Sequence, residues 1–116
     1  MLGRAHRFHG LGSLRGVYSR GQSARAGQLS LKYGQRPAGR PYRVAVVVSR
    51  KVSKSAVVRN RIRRRIYEVV RLNPDLVKPG SDLVFTAYSD QLAEMETGKL
   101  RTLVKDLLQK ASQTDH

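Results

Sequence analysis

The 116-residue sequence contains no cysteine, and its first 67 residues contain no aspartate or glutamate. Without cysteine there are no disulfides, thiol nucleophiles or thiolate-based zinc or iron–sulfur sites. No apolar run approaches the roughly 20 residues that span a bilayer. The start, MLGRAHRFHGLGSLRG, lacks the apolar stretch of a secretory signal. The expectation is a cytoplasmic protein with no membrane partner.

The missing carboxylates exclude more. A protein-held Mg²⁺ site for phosphodiester cleavage needs clustered Asp or Glu, and the first 67 residues supply none. His6 and His9 sit in a Gly- and Arg-rich stretch and read as exposed polar residues. There is no Gly-rich phosphate loop ahead of a Lys and Ser/Thr, and no nucleophile elbow. No catalytic residue, no protein-held metal and no small-molecule substrate is therefore predicted. If the chain serves a reaction, another component carries the chemistry.

What is present is positive charge. Residues 1–67 hold 17 Lys or Arg, residues 68–116 hold 6 basic and 8 acidic residues, and the formal net charge is +15. A solvated charged surface normally interleaves the two signs. A long one-signed stretch points to a polyanionic partner. Hydrophobic residues at 40% suffice for one modest core. Residues 1–116 read as one domain that meets a polyanion, with 1–12 and 112–116 as flexible ends.

Periodicity predicts the elements. Ser13 and Gly21 bracket a short helix over 14–20, with Leu14, Val17 and Tyr18 as its apolar stripe. Residues 28–33 alternate as a strand, Leu29, Leu31 and Tyr33 on one side and Ser30 and Lys32 on the other. After the turn-rich 34–41, residues 43–52 form a second strand, and the pair reads as an antiparallel hairpin. Val44, Val46 and Val48 make its core row. Arg43, Ala45, Val47, Ser49 and Lys51 make the other row, which is either solvated surface or a ligand platform.

A helix is predicted over 55–72 with Ser55 as N-cap and Asn73 and Pro74 as its end. Val58, Ile62, Ile66 and Val69 share one face; Asn60, Arg63, Arg64, Tyr67 and Arg71 spread over the other, flanked by Arg59 and Arg61. A third strand spans 81–89. A last helix covers 98–111 behind Thr97, with Leu100, Leu103, Val104, Leu107 and Leu108 inward. The order α-β-β-α-β-α is an α+β sandwich with one small sheet.

The run RNRIRRR at 59–65 carries the most chemistry. Guanidinium groups present planar, multiple donors that suit phosphates. Asn60 can donate and accept, which suits a base edge or a ribose hydroxyl. Like charges at i,i+4, Arg59/Arg63 and Arg61/Arg65, cost an isolated helix a few tenths of a kcal/mol each, a cost that a polyanion relieves.

The segment VVVSRKV (46–52) followed by AVVRNRIRR (56–64) resembles the signature of the bacterial ribonuclease P protein subunit. The likeness extends more weakly over about 100 residues, including SLRGVYSRG (13–21) as the family's first helix. It implies a protein that binds a large catalytic RNA and the 5′ leader of precursor tRNA. In that arrangement the RNA, with Mg²⁺ bound mainly by itself, performs the hydrolysis. It also implies a left-handed crossover through the Arg-Asn-Arg helix, against the general right-handed rule.

Residue by residue, the resemblance implies Arg59, Asn60, Arg61, Arg63 and Arg64, with Lys54, as contacts to the catalytic RNA. It implies Leu14, Tyr18, Lys32, Arg43, Val47, Ser49 and Lys51 as the leader cleft. The sequence departs from the family at Leu14, where Phe is common, and near Lys32, where an aromatic is common, which shifts expected stacking onto Tyr18. It also departs in the Ser53-Lys54-Ser55 link, at Tyr67, where a basic residue is common, and at Arg65, where an apolar one is usual. The alternative reading is a structural RNA-binding protein such as a small ribosomal protein.

Overall fold

The computed structural model describes residues 21–35 and 41–113. The predicted helix over 14–20, with Leu14 and Tyr18, lies outside them, as do residues 1–12. Four strands form one mixed sheet: β1 (Gln22–Ala26), β2 (Leu29–Gln35), β3 (Arg43–Val47) and β4 (Ser81–Ala87), in the spatial order β1-β2-β4-β3. Helix α1 (Ala56–Leu72) joins β3 to β4, and α2 (Thr97–Gln113) follows β4. Short 3₁₀ turns occupy Pro74–Leu76 and Asp90–Ala93.

The expected hairpin between residues 28–33 and 43–52 does not form. β4 lies between its two members, antiparallel to β2 and parallel to β3. The reason is hydrophobic. The run Leu83-Val84-Phe85 is buried on both faces, as in a central strand that reads as continuously apolar. Such a strand needs a neighbour on each side, and β2 and β3 are those neighbours.

β2 instead makes its hairpin with β1, a strand the alternation pattern did not reveal. Ala26 pairs with Leu29 across a two-residue turn. Gly27 opens that turn at φ +56°, a conformation natural to glycine at the first turn position.

Both helices cover one face of the sheet. Leu29, Leu31 and Tyr33 of β2, Val44 and Val46 of β3 and Leu83, Phe85 and Ala87 of β4 point into that layer. Ile62, Ile66, Val69 and Val70 of α1 and Leu100, Val104, Leu107 and Leu108 of α2 complete the core. The predicted apolar rows of β3 and of both helices are therefore the buried ones, with Val58 and Leu103 at the rim.

Several boundaries differ; β2 runs on to Gln35 and β4 ends at Ala87 rather than at 89. β3 ends at Val47 rather than at 52: a turn closes over 50–52, and the Val52 and Ser53 amides both donate to the Ser49 carbonyl. α2 runs on to Gln113, two residues into the segment expected to fray. The start of α1 is as predicted. Ser55 is the N-cap, its Oγ accepting from the Val58 amide at 3.3 Å, and the Ser53 hydroxyl holds the Ser55 amide.

Candidate nucleic-acid interface

Helices on one face leave the other face of the sheet uncovered by α1 and α2. Pairing places Lys32 beside Val84 and Ala45, and Arg25 and Ser30 in one row with Thr86 and Val47. Lys32 and Val47, predicted to share a face, do share it, although β4 stands between their strands. Arg43 is on this face too, next to Asp82. Ser49 and Lys51 are exposed but belong to the turn after β3, so they extend the strand row only as a loop at its end.

Arg43 does not offer the cation expected of it. Its Nε and Nη2 donate to the two carboxylate oxygens of Asp82, each at 2.8 Å. Both side chains are largely buried, at 15% and 9% exposure. The hydrogen bonds from Asp82 raise the Arg43 pKa above its ordinary value, outweighing the opposite effect of burial. The pair is a bidentate, charge-neutral link between β3 and β4. Sequence alternation had placed Arg43 correctly but could not see its partner, 39 residues away.

Helix α1 holds the densest charge. Four of its arginines are tethered to main-chain carbonyls. Arg59 donates to Ser53 O at 2.9 Å and Arg63 to Val48 O at 3.4 Å, fixing the helix to the segment after β3. Arg61 donates to Ala93 O at 2.8 Å. Arg65 donates to Leu92 O at 2.6 Å and also to Met95 O. Arg61 and Arg65 thereby fasten α1 to the Asp90–Ala93 turn. Arg65, where an apolar residue was expected, satisfies carbonyls at and just beyond the end of that turn.

The distinction between a carbonyl and a carboxylate partner decides what these side chains can do. A carbonyl orients a guanidinium without cancelling its charge. Each arginine has five N–H donors, and these bonds use one or two. Arg59, Arg63 and Arg65 are therefore oriented but not neutralised. Arg61 passes 3.8 Å from Glu94, with both groups exposed, which screens rather than cancels it.

Arg71 also has a carboxylate partner, in a pair at the helix surface. It is paired with Glu68 through two hydrogen bonds, which hold the Glu68 carboxyl below its usual range. Of the cations predicted on the outer face of α1, Arg71 is thus removed.

Asn60 is exposed, and its Oδ1 accepts from Arg63 Nη1 at 2.7 Å. Its amide N–H groups make no hydrogen bond among the described residues. Asn60, Arg63, Arg64, Tyr67 and Glu68 line a hollow on the surface of the helix. Arg64 is exposed and has no hydrogen-bond or ion-pair partner among the described residues, and the same holds for Lys54, just ahead of the helix. The first turn of α1 contains no acidic residue, so nothing opposes the positive end of its dipole.

Sequence reasoning missed Arg25 and Tyr88. The Arg25 guanidinium carbon lies 4.4 Å from the centroid of the Tyr88 ring. The Tyr88 hydroxyl is hydrogen-bonded to Ser30 Oγ at 2.9 Å. The signal available was parity: Tyr88 continues the row of Asp82, Val84 and Thr86, just past the last strand residue.

The structure resembles solved ribonuclease P proteins. A Staphylococcus aureus RNase P protein superposes with a TM-score of 0.79 at 22% identity, covering 93% of this chain and 96% of that one. The Thermotoga maritima RNase P protein gives 0.73 at 23% identity, covering 84% and 89%. These likenesses concern the fold. In sequence, the ribonuclease P protein component of Synechococcus sp. (strain JA-2-3B'a(2-13)) is 41% identical over 96% of this chain and 85% of its own length. That of Roseiflexus castenholzii is 48% identical over 60% of this chain and 56% of its own. The family model described as Ribonuclease P matches residues 2–112, and the chain, with its Arg-Asn-Arg helix and mixed four-stranded sheet, belongs to the ribonuclease P protein family.

Proposed function

We propose that this ribonuclease P protein component grips the catalytic RNA through α1 and the segment ahead of it, and receives the 5′ leader of precursor tRNA on the sheet face away from α1 and α2. The observation that carries the first half is the carbonyl tethering of Arg59, Arg63 and Arg65. It presents cations at fixed positions with their charge intact. Arg64 and Lys54 add untethered cations, and Asn60 contributes amide donors beside them. Fixed guanidinium groups suit a folded RNA, whose phosphates are themselves at fixed positions.

On the sheet face, Lys32 and Arg25 provide charge and Val47 an apolar floor that tolerates any base. The Mg²⁺ that such hydrolysis needs is assigned to the RNA. No chemical step is routed through this chain in this reading. Its residues bind and orient; the RNA cuts, in the cytoplasm.

The test is precursor tRNA processing by the cognate catalytic RNA at low Mg²⁺, with and without the protein. Cleavage should depend on the protein and generate the mature 5′ end. A chain that binds RNA tightly but leaves processing unchanged would instead be a structural RNA-binding protein.

A further inference from the structure

Tyr88 is the only exposed aromatic residue among those described. Phe85 and Tyr33 are core, and Tyr42 and Tyr67 are half-buried. Tyr88 is 48% exposed at the end of a sheet row. It is held from three sides. Its hydroxyl is bonded to Ser30, Arg25 lies over the ring, and its own amide donates to Gln28 O at 2.9 Å. Arg25 is in turn fixed by donation from Nε to Gly27 O at 3.3 Å, a carbonyl that leaves its charge uncancelled. The result is a pre-positioned flat surface with a cation against it, on the same face as Lys32 and Val47.

That combination is what a single-stranded nucleic acid requires: a ring for a base and a cation for the adjacent phosphate. We infer that Tyr88 is a base-stacking residue for the single-stranded leader, with Arg25 bracing its ring and donating to a neighbouring phosphate. The inference rests on the reading that the sheet face away from α1 and α2 receives the leader, and it gives that face a flat group beside its cations Lys32 and Arg25. Rigidity matters because a ring already held in place loses little freedom on binding.

The experiment uses the holoenzyme assembled with the cognate catalytic RNA. Affinity is measured for precursor tRNA and for mature tRNA with the parent, Tyr88→Leu, Tyr88→Gln and Tyr88→Phe. Loss of one stack should weaken precursor binding by about 5- to 150-fold in the Leu and Gln variants, leave mature tRNA binding unchanged, and be restored by Phe, which keeps the ring but not the Ser30 bond. A single abasic nucleotide walked along the leader should weaken the parent at one position, and the Leu variant should be indifferent there. Leu and Gln variants that prefer precursor as strongly as the parent overturn the stacking role alone. Equal loss for mature tRNA, or no rescue by Phe, also overturns it. A parent holoenzyme that does not distinguish precursor from mature tRNA overturns the underlying leader reading instead.

Discussion

At the scale of single residues, the partner of each arginine matters more than its position in the motif. Arg64, exposed and untethered, should act through charge alone. Arg64→Ala is expected to weaken RNA binding, lower the log–log salt slope by about 1 and leave the melting temperature nearly unchanged, since surface substitutions of this kind usually stay within about 0.5 kcal/mol. Arg65→Ala removes two bonds to the Asp90–Ala93 region and should cost roughly 1–3 kcal/mol of stability by orphaning carbonyls. Parallel thermal melts and RNA titrations separate the two. The Arg43–Asp82 pair makes the complementary case. Asp82→Ala leaves a largely buried guanidinium without its carboxylate and should destabilise by at least about 1–3 kcal/mol. The double variant Arg43→Leu/Asp82→Ala should recover part of that loss, and chemical denaturation of the four proteins in the cycle measures it. A double variant no more stable than Asp82→Ala would argue against the pair as described.

At the scale of elements, α1 and the core row of β3 were legible because their apolar spacing is strong and their ends carry Ser55, Asn73 and Pro74. β1 was not legible: Gln-Ser-Ala-Arg-Ala has no β-branched or aromatic residue, so it is a strand by virtue of β2 and its turn rather than by propensity. Its dependence on the turn is testable. At Gly27 a Cβ would meet nothing closer than Leu103 Cδ1 at 3.7 Å, so a substitution there is opposed by backbone conformation, not by space. Gly27→Val should cost about 1–2 kcal/mol, read as a lowered melting temperature, and an unchanged melt would contradict the turn. The pairing of β3 with β4 instead of β2 was illegible for another reason. Alternation reports which side chains share a face, not which strand lies next door. Hence Lys32 and Val47 were placed together correctly on a wrong hairpin, while the end of β3 at Val47 and the partner of Arg43 depended on contacts that no local pattern encodes.

At the scale of the whole molecule, carboxylate pairing separates some of the cations among the described residues from others. Arg43 is neutralised by Asp82 and Arg71 is paired at the surface with Glu68; Arg59, Arg63, Arg64, Arg65 and Lys54 have no carboxylate partner among the described contacts. Each phosphate they neutralise should contribute roughly 0.7–0.9 to the salt dependence of binding. A KCl titration of protein binding to the catalytic RNA is therefore expected to be steep, with a slope of several, and a slope near zero would contradict an interface built on these side chains.

The central position of β4 also sets an order in time. β2 and β3 are not paired with each other; β2 has β1 beside it, but the only strand partner of β3 is β4, which the ribosome makes after both of them and after α1. A nascent chain that has reached residue 80 can close the β1–β2 hairpin, but β3 and the arginine-rich helix have no sheet to join, and non-local pairing of this kind waits on chain completion. β3 and the arginine-rich helix thus leave the ribosome before the sheet that they join is complete. Ribosome-arrested chains of increasing length should gain protease resistance only once Ala87 has left the exit tunnel, and resistance acquired before β4 emerges would refute this order.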